Sequence, residues 1–143
     1  DPIMIEKIDD IIVGVKERVK NNFESFGLKD FFLDFKLYGK NGVMGMFKNL
    51  PEDNSLELCI IIEAVAKTQE ESNTICSSAR STLLHYGYEG RKSTAGNLAF
   101  PFSPSDFSAG EVYVFSIYHL MEVDNPLEGI TIEMKDYKKG GLL

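Results

Sequence analysis

Cysteine is scarce in this chain. Only Cys59 and Cys76 are present, and two thiols do not make the disulfide framework that staples small secreted domains. No apolar run approaches the roughly 20 residues that a membrane-spanning helix needs. Nor does any segment join a basic start to an apolar middle and a small-residue cleavage site. Basic charge is also in short supply, because 15 Lys and Arg face 22 Asp and Glu, for a formal net charge of −7. Nucleic acid rewards a basic footprint that is missing here. These absences predict a reducing cytoplasmic setting with no membrane or nucleic-acid partner. What is present is apolar: 43% of the 143 residues are hydrophobic and 11% aromatic. That is enough for a chain of this length to bury about two-thirds of its unfolded surface, and it predicts a single folded domain over 1–143.

The first strong period is helical. Ile5, Ile8, Ile12, Val15, Val19, Phe23 and Phe26 recur at steps of three and four, which marks an amphipathic helix. Asp1 suits its cap, Pro2 its first turn and Gly27 its stop. A strand follows at 28–38, where Phe31, Leu33, Phe35 and Leu37 alternate with Phe32, Asp34, Lys36 and Tyr38. Gly39 to Gly42 forms a turn, 43–47 a short second strand, and 56–65 a third strand with Leu56, Leu58, Ile60, Ile62 and Ala64 on one face. Thr68 and Glu71 have the spacing of a capping box. The helix they open turns Ile75, Ala79, Leu83 and Tyr86 inward and stops at Gly87. It is rich in Ser and Thr, which reads as a tolerant surface.

Residues 88–109 have no period and contain Gly90, Gly96, Pro101 and Pro104. Loops this long bind something, cover something or are themselves packed; Leu98, Phe100, Phe102 and Phe107 favour packing. A fourth strand is expected at 111–123, a turn at Asp124 to Pro126, and a fifth strand around Ile130, Ile132 and Met134. The order predicts an α+β two-layer sandwich, with two helices on one face of a mostly antiparallel sheet of about five strands. In the fourth strand Val112, Val114, Tyr118 and Leu120 would face the helices. Tyr113, Phe115, Ile117 and Met121 would lie on the other face and form an interface, covered by the long loop, another subunit or a further domain.

The one basic cluster lies at 88–97. Arg91, Lys92, Ser93, Thr94 and Asn97, with amides freed by Gly90 and Gly96, form a candidate site for an anionic small molecule such as a phosphate or carboxylate. P-loop spacing is lacking, so nucleotide hydrolysis is not expected. The bland alternative is a structural turn in which Arg91 pairs with a carboxylate and Asn97 bonds the backbone. Ser105 and Asp106 read as turn caps. His85 suits the end of its helix, and His119 fits a self-associating strand better than a general base. Two separated histidines with Cys59 and Cys76 lack zinc spacing, so no metal is expected and no cofactor is implied. The thiols read as small apolar groups inside elements.

The run from His85 through Gly90-Arg91-Lys92-Ser93-Thr94-Ala95-Gly96-Asn97 to Phe100-Pro101-Phe102-Ser103-Pro104-Ser105-Asp106, followed by 111–123, resembles the C-terminal region of acyclic terpene utilisation (AtuA-like) proteins. The resemblance covers 80–123, under half of the chain. Those proteins are longer, with a large N-terminal domain before a smaller C-terminal one. The resemblance therefore implies that this chain is the C-terminal part of a longer protein concerned with acyl-CoA derivatives of branched acyclic terpenoid acids. The first residue, Asp1, is not an initiator methionine and agrees with an excised piece. No catalytic residue carries over. The leading expectation is a non-catalytic accessory or assembly domain that forms a homo-oligomer or docks on a parent N-terminal domain. The rival is an enzyme component binding an acyl-CoA or carboxylate through 88–97.

Overall fold

The computed structural model describes residues 1–45, 55–93, 98–120 and 122–134. The chain divides into two units, Asp1–Val112 and Tyr113–Leu143.

In the first unit the N-terminal helical stripe is realised as two helices, α1 (Pro2–Glu6) and α2 (Ile8–Ser25), separated at Lys7. The Asp1 carboxylate caps α1, accepting from the Ile3 amide at 2.9 Å, and Pro2 opens it. Burial runs through the break, from Met4 to Ile8, Ile11, Ile12, Val15 and Val19. Strands β1 (Phe32–Tyr38) and β2 (Cys59–Val65) pair antiparallel. Leu33, Phe35 and Leu37 face Ala64, Ile62 and Ile60 in this register, and this side joins the core. Helix α3 (Gln69–His85) starts in the capping box that the sequence predicts. It buries Ile75, Ala79 and Leu83, with Tyr86 half-buried against them.

Helices α2 and α3 pack on each other and on the sheet, so the α+β class and the two-helix layer stand. The five-strand sheet does not. Among the described residues there are two strands. Val43 and Met44 lie in a turn and are exposed, and the rest of the expected second strand is outside the described residues. Segments 111–120 and 130–134 have no strand pairing. Alternation states which surface a strand would present, whereas a strand exists only where a neighbour takes up its ladder bonds. The turn between these segments does form. Asn125 accepts through its side chain from the Leu127 amide at 3.0 Å and through its carbonyl from Glu128 at 2.9 Å.

The sheet's outer side has a local electrostatic problem and its solution. The register sets Asp34 directly opposite Glu63, and like charges so placed repel. Lys16 reaches Asp34 at 2.9 Å, and Lys36 reaches Glu63 at 2.7 Å. The Lys16 hydrogen bond holds the Asp34 carboxyl below its ordinary value, and the Glu63 hydrogen bond holds Lys36 above its own.

One glycine lets the end of α3 reach α2. A Cβ on Gly14 would lie 2.7 Å from Cζ of Tyr86 and closer still to its hydroxyl. The Tyr86 ring thereby sits against the α2 backbone, with the Arg18 guanidinium 4.8 Å from its centroid. An exposed helical Gly changed to Ala gains about 1 kcal/mol. Gly14→Ala is expected instead to lose about 1–3 kcal/mol by displacing Tyr86, as measured by urea denaturation. A second outcome follows from Asp34. Its lowered folded-state pKa gives a contribution that is complete above the unfolded value of about 3.9 and lost as pH falls through the lower folded value. Lys16→Met should remove that contribution, so that the gap in urea midpoint between variant and wild type at neutral pH closes on acidification.

Candidate functional site

The expected anion loop begins where α3 ends. A helix leaves its last carbonyls without intrahelical partners, and Arg91 fills that need. Its Nη2 donates to the Leu84 carbonyl at 3.0 Å, its Nη1 to the Tyr86 carbonyl and its Nε to the Ser93 carbonyl. The guanidinium also lies 5.8 Å from the Tyr88 ring centroid. A planar five-donor fork suits this task, and a cation is favoured at the negative end of a helix. Arg91 therefore serves as a helix cap that donates to these carbonyls.

Around it lies a cavity of about 360 Å³ lined by His85, Arg91, Lys92 and Ser93. The structure thus brings three of the five predicted anion-site residues together, Arg91, Lys92 and Ser93, and adds His85. Lys92 and Ser93 are exposed. Thr94 and Asn97 lie outside the described residues. An anion entering here meets a guanidinium with three donated bonds already committed to carbonyls.

The rest of the long loop is held to α3 by contacts that no local spacing reveals. Arg80 Nη2 donates to Asp106 Oδ2 at 3.0 Å, while its Nε forms an ion-pair contact with Oδ1, also at 3.0 Å. The Phe100 ring centroid lies 5.9 Å from the same guanidinium. Nearer the start of α3, Ser108 donates to Gln69 at 2.7 Å. Residues 98–108 thus lie along α3 as a strap. Leu98 packs on the core, but Phe100, Phe102 and Phe107 are exposed, so the expected packing of all four is corrected to one. Polar anchors, with Phe100 stacked on Arg80, do the holding. Asp106, read from sequence as a turn cap, is the main anchor. Its partner Arg80 lies 26 residues away, beyond the reach of any local spacing.

Cys76 is half-buried beneath this strap. Burial and the nearby Asp106 carboxylate push its thiol up, and its sulfur donates to the Ile62 carbonyl at 3.7 Å. Cys59 is exposed at the start of β2, which corrects its placement as an interior apolar group. Among the described residues no three His, Cys, Asp or Glu side chains come together as a metal group. No helix of the described residues is long and apolar enough to cross a membrane.

The expected interface residues fall in the second unit. Tyr113, Phe115 and Ile117 are 84%, 86% and 64% exposed, and Met121 lies outside the described residues. The set expected to face the core is no better covered: Val114, Tyr118 and Leu120 are 81%, 86% and 87% exposed. The inner and outer faces of the sequence reading are therefore equivalent here, because no sheet places one of them against helices.

These features define a small α+β unit with a strapped helix, and a second unit rich in exposed apolar side chains. No protein-family model, curated protein or solved structure gives a significant match to the chain.

Arg91→Ala is expected to cost about 1–3 kcal/mol, since it strands buried-side carbonyls that had a charged donor. Arg91→Lys should recover little of this, having no fork to span them. Urea denaturation followed by far-UV circular dichroism checks both.

Proposed function

We propose that this chain is a non-catalytic accessory or assembly domain of a metabolic protein, acting through the apolar segment that contains Tyr113, Phe115, Ile117 and Met121. One observation carries the reading. From Val112 to Leu120 almost every side chain is large, apolar or aromatic and exposed, whereas surface hydrophobics on monomers are normally scattered singly. A surface of this kind calls for a partner, either a second copy or the N-terminal domain of a longer protein. The resemblance of 80–123 to acyclic terpene utilisation proteins supports a setting in acyl-CoA catabolism. The two free cysteines and the acidic composition suit a reducing cytoplasm. Completion of a larger sheet, toward the five strands that the alternation allows, would be the structural result of docking.

The second reading is an enzyme component that binds an anionic acyl-CoA or carboxylate, and the cavity beside His85, Arg91, Lys92 and Ser93 favours it. The commitment of Arg91 to three carbonyls weighs against it.

Sedimentation velocity over a wide concentration range is expected to show reversible self-association, with Phe115→Ser/Tyr118→Ser shifted to monomer at unchanged helix content. A monomer at every concentration that also fails to bind a supplied parent domain overturns the assembly reading. Calorimetric titration with CoA thioesters is expected to give no heat; heat that Lys92→Ala abolishes would favour the enzyme component.

A further inference from the structure

We infer that the hollow between α1 and the start of β2 is a binding site for a small amphiphilic cation, an apolar chain that ends in an amine. All of its described lining residues belong to the first unit, and none of them is shared with the Arg91 cavity. The inference is therefore independent of the assembly reading. The hollow measures about 380 Å³, within the roughly 300–1,000 Å³ that ligand pockets occupy. Met4, Ile5 and Ile8 line it from the N-terminal helices, Leu58 and Ile60 from the chain entering and forming β2, and Leu98 from the strap.

Local patterns build these walls. Met4, Ile5 and Ile8 follow the helical step of three and four and share one side of the apolar stripe, which the break at Lys7 leaves continuous. Met4 and Ile8 are buried, and Ile5, Leu58, Ile60 and Leu98 are half-buried, so the floor of the hollow is the edge of the core itself. Two contacts tie α1 down beside it. The Tyr88 hydroxyl donates to the Asp1 carboxylate at 2.7 Å, and Lys7 Nζ donates to the Glu89 carbonyl at 3.3 Å. Close-packed interiors leave few voids larger than a water molecule, whereas this space lies open over apolar side chains that a ligand's chain can cover.

Charge sets the class of ligand. Among the described residues the charged side chains lining the hollow are Asp1 and Glu57, both carboxylates, and no Lys or Arg joins them. Asp1 accepts from the Ile3 amide and the Tyr88 hydroxyl, which leaves lone-pair sites on its oxygens. Glu57 forms no ion pair among the described residues. An alkyl chain laid on the apolar floor with its ammonium at these carboxylates satisfies both ends, while a fatty carboxylate of the same length brings a further negative charge to the same place. Ion pairs at an exposed rim are weak, so the chain supplies the affinity and the carboxylates choose the head group.

The test uses N-phenyl-1-naphthylamine, an uncharged dye that brightens in apolar sites, on the Phe115→Ser/Tyr118→Ser chain, in which the competing exposed segment is weakened. Saturable dye binding is expected, with octylamine displacing the dye at concentrations about tenfold below those of octanoate at neutral pH. Hexylamine, two methylenes shorter, should be roughly tenfold weaker than octylamine. Ala99 also lines the hollow and is exposed, so Ala99→Trp should fill the space and abolish dye binding at unchanged helix content. Glu57→Gln should keep the dye and narrow the preference for amine over acid. Absence of saturable binding, binding that Ala99→Trp leaves unchanged, or octanoate that displaces as well as octylamine overturns the inference. Each of these results leaves the assembly reading in place, since that reading is decided by sedimentation and by capture of a parent domain.

Discussion

The contact between α2 and α3 is what the first unit depends on. Val15, Val19, Ile75 and Ala79 have no exposed surface, and the two-stranded sheet, too small to be stable alone in water, has these helices as its support. Phe35 and Leu37 complete the same core from β1. The small side chain of Ala79 and the missing one at Gly14 bear on how closely the helices and Tyr86 approach. Both are choices of shape rather than of hydrophobicity, and tightly packed interiors are sensitive to such choices.

Polar side chains then fix what lies over that core. Arg91 closes the end of α3, Arg80 ties the strap through Asp106, and Lys16 and Lys36 neutralise the facing carboxylates of the sheet. Each of these cations has structural work, and in the local basic cluster of an otherwise acidic chain Arg91 holds the chain's own carbonyls. That is the physical ground for placing assembly above anion binding. Along 112–120, by contrast, most of the side chains are large, apolar and exposed.

Much of the first unit was legible in the residues. The helical stripe of Ile8, Ile12, Val15 and Val19, the alternation of Leu33, Phe35 and Leu37, and the Thr68–Glu71 capping box are each local patterns whose physics closes within a few residues. The break at Lys7 was not legible, since the apolar stripe runs through it unchanged. Of the candidate site, the grouping of Arg91, Lys92 and Ser93 follows from adjacency alone. The role of Arg91 does not, because it depends on where the last carbonyls of α3 point.

Sequence by itself determined the acidic surface, the element types of 2–38 and 59–85, the buried face of each, and the two alternating segments around the turn at Asn125. Tertiary structure alone decided that Arg80 meets Asp106, that Tyr86 rests on Gly14, and that 111–120 has no strand pairing. Periodicity is a property of neighbouring residues and survives in any context. A strand partner, an ion pair across 26 residues or a void the size of a missing Cβ is a property of distant segments brought together, and nothing in the local pattern encodes which of them will meet.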